Sequence, residues 1–182
     1  MVEGADQGSV AGLGCRVARY EVAQMRWSEL DLANRVWNLP AERAKNSRPH
    51  ITHLSDFALE IIEGLPQTNG SPLVFTMNGT QPFTNLDNLK RYRVDRLMGE
   101  DIPHWQVRDL RRTATTLMAE LGVAPHIADK VLNHTSGEIS GVAAIYNRFE
   151  YLDERRAALE ALGRKIETLI GRDSDNVVPI RA

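Results

Sequence analysis

The sequence predicts a mostly α-helical fold with a small antiparallel β-sheet, an α+β class. Apolar residues recur at helical spacing through the second half, most clearly in the stripe of Leu159, Leu162 and Ile166. Two short alternating segments, 35–39 and 50–55, flank a polar stretch and predict a β-hairpin. The chain has 182 residues, 42% hydrophobic and 25% charged, which is typical of one globular domain.

The elements around the hairpin follow from composition and spacing. Residues 1–18 are rich in Gly, Ala and Ser and form a poorly patterned lead-in. Residues 20–25 have helical apolar spacing, and 27–31 marks a stop. Lys45 lies in the polar turn of the hairpin, which leads to the second strand at 50–55.

The later elements are delimited by capping and breaking residues. Ser55 is the predicted N-cap of a helix that ends near Gly64. Gly122 ends another helix at a position that tolerates positive φ, and Pro125 suits a first helical turn. The remaining pattern predicts a strand at 73–76 and helices at 84–98, 109–121, 125–132, 140–149 and 152–170. We therefore expect one domain over 19–170 and a flexible tail over 171–182.

The composition excludes several classes of protein. No apolar run approaches the roughly 18 to 20 residues of a membrane span. The N-terminal residues lack the basic and apolar regions of a secretory signal, so a cytoplasmic location is expected. Cys15 is the single cysteine and cannot form an internal disulfide, and no Cys/His spacing suggests a zinc site.

The charge distribution is uneven along the chain. Lys and Arg total 22 against 24 acidic residues, and a net charge of −2 argues against nucleic-acid binding. Residues 90–112, however, hold seven cations and four acids, a local excess of three positive charges. A basic face on a nearly neutral body is therefore compatible with the sequence.

The candidate chemical groups are unremarkable one at a time. Arg108 and Arg111 are three residues apart on one helical face, where two guanidinium groups suit a phosphate, although a solvated basic face is the plainer interpretation. A hairpin lysine such as Lys45 is usually exposed, and a lone His134 is usually structural. Tyr146 is a poor nucleophile unless cations stabilise its anion, because the pKa of a phenol is about 10.

Taken together, these residues form an ordered set. The chain carries, in order, Lys45 in a hairpin, R-x-x-R at Arg108 and Arg111, L-N-H ending at His134, and Tyr146. This order, with the flanking segments MRWSELDL, DLRRTATTLMAELGV and VLNHTSGEISGVAAIYNRFEYLDERRAALEAL, resembles the tyrosine recombinase family of phage-type integrases. The resemblance covers about residues 20–167 and implies the catalytic-domain fold of DNA breaking–rejoining enzymes. Arm-binding and core-binding modules are then expected before residue 1.

The resemblance implies a mechanism with no metal, ATP or other cofactor. Tyr146 would attack a backbone phosphate of double-stranded DNA, giving a 3′-phosphotyrosyl link and a free 5′-hydroxyl. Arg111 would stabilise the non-bridging oxygens, Lys45 would protonate the leaving oxygen, and His134 would donate a hydrogen bond. Arg108 stands where the family usually has His; it keeps the donor but cannot act as a general base.

The first catalytic arginine of the family is not in register here. It belongs to a T-G-x-R-x-x-E pattern in which Glu21 fixes the register, and Ala18 then occupies its position while Arg19 is one residue off. Losing this arginine should cost several kcal/mol of transition-state stabilisation. There are two explanations. One is a change of coding frame near residue 19, and the other is a short protein that binds DNA or partners without cutting. The upstream nucleotide sequence distinguishes them.

We expect site-specific DNA integration and excision, with activity impaired by the missing arginine. The alternatives are a catalytically inactive DNA-binding or oligomerising remnant, a type IB topoisomerase-like enzyme, and a helical domain with no DNA role. The apolar stripe that continues to Leu169 either packs on its own domain or, as the resemblance implies, docks on a neighbouring protomer in a DNA-bound homotetramer.

Overall fold

The computed structural model describes residues 19–67, 70–76, 78–82, 86–98, 103–133 and 150–171. Its named elements are α1 (Arg19–Ala23), β1 (Leu30–Asp31), β2 (Val36–Leu39), β3 (His50–His53), α2 (Asp56–Glu63), α3 (Leu86–Leu89), α4 (Asp95–Met98), α5 (Asp109–Glu120), α6 (Pro125–Val131) and α7 (Leu152–Leu169). The predicted class, mostly α with a small antiparallel sheet, is confirmed. The predicted helix at 140–149 and the tail from 172 lie outside the described residues.

The sheet has three antiparallel strands in the order β1-β2-β3. The predicted hairpin is confirmed, with Trp37 opposite Thr52 and Leu39 opposite His50. Trp37 and Leu39 are buried because alternate residues of β2 face the core. The edge strand β1 lies in the segment 27–31, where the sequence predicts only the end of a helix. Its two residues are too few to show the alternation that predicts a strand.

The predicted strand at 73–76 is wrong as a sheet strand. Leu73 forms an isolated bridge with Arg26, and Thr76 forms another with Pro82 across a tight turn. The segment pairs with a different partner at each end, so no continuous ladder develops.

The capping predictions agree with the structure. Ser55 caps α2, and its Oγ accepts a hydrogen bond from the backbone N–H of Ala58 at 3.3 Å. Gly122 has φ +77° after α5, as the helix end requires. The predicted helix at 84–98 is described from residue 86, with a π-helical segment, Lys90–Val94, between α3 and α4.

Two apolar clusters form the core. The first lies between the sheet and α2 and is centred on Met25, Trp37, Leu39, Ala44, Leu54, Leu59, Ile62 and Val74. The second lies between α5, α6 and α7 and is centred on Met118, Ile127, Ala128, Val131, Leu132, Ala158 and Leu162. Each cluster removes apolar surface from water, which is the main favourable term in folding.

Helix α7 joins the two clusters. Glu160 Oε1 contacts His53 Nε2 of β3 at 2.7 Å, and its Oε2 accepts from the backbone N–H of Asp56 at 3.3 Å. Leu162 is buried on the apolar stripe, so that part of the stripe packs on its own domain, whereas Leu169 is exposed. In the described part of the chain, no helix is both long and apolar enough to cross a membrane.

Candidate active site

The connection between β2 and β3 presents Lys45. Ala44 is buried and anchors the turn, whereas the Lys45 side chain is exposed, as predicted for a hairpin lysine. The backbone N–H of Lys45 donates to Glu21 Oε1 at 2.7 Å. Ser47 has φ +54° and donates its N–H to the carbonyl of Ala44 at 2.9 Å, which closes the turn. The backbone hydrogen bonds therefore hold Lys45 in place in the fold, and its ammonium group faces solvent.

A buried ion pair holds the start of this turn. Arg43 Nε donates to Glu29 Oε1 at 2.6 Å, and Trp37 Nε1 donates to Glu29 Oε2 at 2.9 Å. Burial raises the pKa of Glu29, but hydrogen bonds from Arg43, Trp37 and the Arg26 backbone outweigh it and leave the pKa below its ordinary 4.5. Glu29 is therefore a charged carboxylate at neutral pH.

Helix α5 positions the two candidate arginines. Arg111 lies in its first turn, is half-buried, and donates from its guanidinium group to the carbonyl of Leu132 at 3.5 Å. Arg108 is exposed immediately before the helix, and its carbonyl accepts from the N–H of Arg111 at 3.2 Å. Arg112 points away, with 86% of its side chain exposed. The convergence of Arg108 and Arg111 on one phosphate stays a prediction.

The end of α6 meets both of these segments. Asn133 has φ +50° and ends the helix, with its N–H donating to the carbonyl of Lys130 at 3.1 Å. Its Oδ1 accepts from Asn46 Nδ2 at 3.1 Å. Asn46 follows Lys45, and Leu132, which accepts from Arg111, precedes Asn133. The Lys45 turn and Arg111 are thus brought to one end of α6.

Two predicted site residues lie outside the described residues, namely His134 and Tyr146. Ala18, the position of the missing arginine, also lies outside them. The roles of Lys45, Arg108, Arg111, His134 and Tyr146 therefore stay predictions.

Sequence patterns do not reveal the residues that support the site. The polar turn between the two strands holds Arg43 and Asn46, which make long-range contacts that no local pattern predicts. Glu29 lies in a segment that predicts only the end of a helix, since a buried carboxylate has no periodic signature. Asn133 carries a usable signal, because asparagine favours the left-handed conformation that ends helices.

A second buried polar network lies where the chain enters α7. Glu150 Oε1 accepts from Lys130 Nζ at 3.1 Å, and its Oε2 accepts from Arg155 at 3.4 Å. Arg155 is buried and also donates to the carbonyl of Ile51 and to His50 Nε2, the latter at 3.3 Å. Burial, together with the charges of Arg155 and Lys130, lowers the pKa of His50 to about 4. His50 is therefore neutral at physiological pH and accepts from Arg155.

The basic stretch at 90–112 is divided between structural and exposed cations. Lys90 is largely buried, contacts Asp95 at 2.8 Å and lies over the Trp105 ring at 4.4 Å. The remaining cations described as exposed in this stretch are Arg91, Arg93, Arg96, Arg108 and Arg112. Among the described residues, no group of three or more His, Cys, Asp or Glu side chains could hold a metal ion.

Comparisons with known proteins give a consistent result. A model of the phage integrase family matches residues 11–151. The prophage integrase IntA of Escherichia coli (strain K12) is 32% identical over 143 residues, which cover 77% of this chain and 33% of IntA. The integrase of Shigella phage Sf6 is 25% identical over 162 residues, covering 84% of this chain and 41% of that protein. The prophage integrase IntZ of Escherichia coli (strain K12) is 26% identical over 162 residues, covering 87% and 39% respectively.

The chain therefore spans between 33% and 41% of the length of these curated relatives. A comparison with solved structures finds no match.

Proposed function

Because the chain belongs to the phage integrase family, we propose that it takes part in site-specific DNA recombination by cleaving and rejoining DNA strands. Its substrate is double-stranded DNA, and its intermediate is a 3′-phosphotyrosyl link to Tyr146. The active assembly on DNA is a homotetramer, and residues 19–170 form the catalytic domain.

Each proposed role follows from the chemistry of its side chain. The phenolic oxygen of Tyr146 forms a bond to phosphorus and loses its proton to water while the bond from phosphorus to the 5′-oxygen breaks. The Lys45 ammonium group transfers a proton to that leaving oxygen. Arg111 and His134 donate hydrogen bonds to the non-bridging oxygens, where negative charge is concentrated. Rejoining is the reverse reaction with a different 5′-hydroxyl, so the phosphodiester energy is conserved.

The observation that carries this proposal is the convergence at the end of α6. The Lys45 turn reaches Asn133 through Asn46 at 3.1 Å, and Arg111 reaches Leu132 at 3.5 Å. His134 follows directly in the sequence. This arrangement supports a site in which a general acid and a phosphate clamp act on the same phosphate. Arg108, immediately before α5 and three residues from Arg111, adds an exposed cationic side chain.

The test is capture of a covalent protein–DNA adduct. The chain is incubated with a random-sequence duplex DNA library, denatured with detergent, and the DNA attached to protein is sequenced. We expect adducts enriched in a defined sequence for the wild type and none for Tyr146→Phe. Tyr92→Phe is the matched control, since Tyr92 is an exposed tyrosine elsewhere on the chain, and it should give wild-type yields.

The other outcomes identify the alternatives. An adduct that persists in Tyr146→Phe overturns the nucleophile assignment. Adducts without sequence preference, together with relaxation of supercoiled plasmid, indicate topoisomerase-like activity. No adduct, with DNA binding that weakens steeply as salt rises, indicates a binding protein without cleavage activity.

A specific observation favours impaired cleavage. Ala18 stands three residues before Glu21, where the family pattern has its first arginine. We expect Ala18→Arg to accelerate adduct formation by about two powers of ten or more, because it restores one donor to the transition-state oxygens. Arg16→Ala is the control for nearby charge and should not accelerate the reaction. An unchanged rate in Ala18→Arg contradicts the assignment of this position.

A further inference from the structure

The hydrogen bond between Asn46 and Asn133 joins two segments that are far apart in sequence. Asn46 Nδ2 donates to Asn133 Oδ1 at 3.1 Å across 87 residues, in a half-buried position. Each asparagine is next to a proposed catalytic residue, Asn46 to Lys45 and Asn133 to His134. The bond therefore connects the neighbours of the general acid and of the phosphate-binding histidine.

The two sides of the Lys45 turn are held by different parts of the molecule. On the sheet side, Glu21 accepts from the Lys45 backbone at 2.7 Å, and Arg43 is paired with Glu29 at 2.6 Å. On the helical side, the contact comes from Asn133 at the end of α6. The Asn46 side chain thus links the hairpin to the second apolar cluster.

Asn133 is itself held firmly. Its left-handed backbone, φ +50°, is one that asparagine tolerates, and its N–H donates to the carbonyl of Lys130 at 3.1 Å. The preceding carbonyl, that of Leu132, accepts from Arg111. Glycine would adopt this backbone conformation at least as readily. What asparagine adds at this position is therefore the hydrogen bond made by its side chain.

We propose that Asn46 and Asn133 are positioning residues that hold the Lys45 turn against the end of α6. Their bond holds the Lys45 turn near the carbonyl of Leu132, to which Arg111 donates. The catalytic part of this inference rests on the proposed function, because it takes Lys45 as the general acid. The coupling of the two segments is a property of the folded chain and does not depend on DNA.

The coupling is tested by hydrogen–deuterium exchange of the free protein. In Asn46→Ala we expect exchange at the end of α6, in the peptide 127–133, to rise by about 2- to 10-fold, the factor that one net hydrogen bond contributes. In Asn133→Gly, which keeps the left-handed backbone, exchange in the turn 44–48 should rise by a similar factor. The double variant should add little to either single one.

Ser47→Gly is the matched control. Ser47 lies in the same turn with φ +54°, so it also introduces glycine at a left-handed position. It should leave exchange at 127–133 unchanged. If Asn46→Ala leaves exchange at 127–133 unchanged as well, the coupling is overturned whether or not the protein cleaves DNA.

The link to Lys45 is tested with DNA whose leaving 5′-oxygen is replaced by sulfur. Sulfur leaves as a thiolate without needing a proton, so the general acid becomes dispensable. We expect Asn46→Ala and Asn133→Gly to slow adduct formation on ordinary DNA by up to about 100-fold, because a misplaced catalytic group loses about this factor. On the sulfur substrate, the rate of adduct formation of both variants should return to that of the wild type. Coupled exchange without restoration overturns the link to Lys45. Absence of wild-type adduct with both substrates overturns the proposed function and leaves the exchange result to decide the coupling.

Discussion

Glu21 accepts a hydrogen bond from the backbone N–H of Lys45 at 2.7 Å, across 24 residues of sequence. Glu21 is only 3% exposed, and its own carbonyl accepts from Arg43 at 3.2 Å. The residue that sets the register of the first arginine pattern is thus also a support of the hairpin turn. Helix α1 and the Lys45 turn therefore form one structural unit.

Removing the Glu21 carboxylate should destabilise this unit. In Glu21→Ala the partly buried N–H of Lys45 loses its acceptor, and we expect the free energy of unfolding to fall by about 1–3 kcal/mol. Glu21→Gln keeps an acceptor oxygen and should retain most of that stability. Urea unfolding at pH 7 measures both.

Lys45→Ala distinguishes the structural role of the Lys45 backbone from the proposed catalytic role of its side chain. Because the Lys45 side chain is exposed and its N–H is retained, stability should change by less than about 0.5 kcal/mol, although adduct formation should be lost. A large loss of stability in Lys45→Ala would show that the ammonium group has a structural role.

Removing only one partner of the Arg43–Glu29 ion pair should lower the free energy of unfolding substantially. The Glu29 side chain is 7% exposed and that of Arg43 is 15% exposed. Arg43→Ala leaves a buried carboxylate without its cation, and we expect a loss of about 3–5 kcal/mol at pH 7. The double variant Arg43→Met with Glu29→Gln removes both charges and should recover most of the loss, as measured by urea unfolding.

The pH dependence of the pair follows from the lowered pKa of Glu29. Its stabilisation is complete above about pH 4.5, the ordinary value, and is lost as the pH falls through the lower value of the folded state. Wild-type stability should therefore fall below pH 4.5 by more than that of Glu29→Gln. Parallel curves for the two proteins would contradict the assigned pKa direction.

Gly163 of α7 packs against Ser55, the N-cap of α2. A Cβ at this position would lie 2.7 Å from Ser55 Oγ and 2.9 Å from Ser55 Cβ. Gly163→Ala should therefore displace the N-cap of α2 and cost about 1–3 kcal/mol, measured by urea unfolding, instead of the gain of about 1 kcal/mol usual for alanine in a helix. In a Ser55→Gly background this cost should disappear. A gain of stability in Gly163→Ala alone would mean that Ser55 yields without loss.

The sequence predicts the fold where structure is encoded locally. The Leu162 stripe, the Ser55 cap and the Gly122 helix end have local signals, and the structure confirms them. The edge strand β1 depends on pairing with β2, so its two residues carry no pattern of their own.

The candidate site shows the same division. The motif order points to Lys45 and Arg111 without any structure. Their supports, such as Asn46 with Asn133, depend on contacts across 87 residues, which periodicity does not encode. A count of charges along the sequence does not show which cations are available to bind DNA. Arg43 and Lys90, for example, form ion pairs within the protein.

The burial of His50 against Arg155 should make stability pH-dependent below about pH 6.5. His50 has its pKa lowered from 6.5 to about 4, so the unfolded chain binds the proton more tightly than the folded one. Stability is therefore highest above pH 6.5 and falls as the pH decreases toward 4, by about 3 kcal/mol in total. His50→Gln keeps an acceptor for Arg155 without titrating, and the fall in unfolding free energy between pH 7 and 5, measured by urea unfolding, should largely disappear.

Arg155→Met should raise the pKa of His50, read by proton NMR, but leave it below 6.5, because burial is the larger cause. A His50 that titrates at its ordinary value in the wild type would contradict its placement against Arg155.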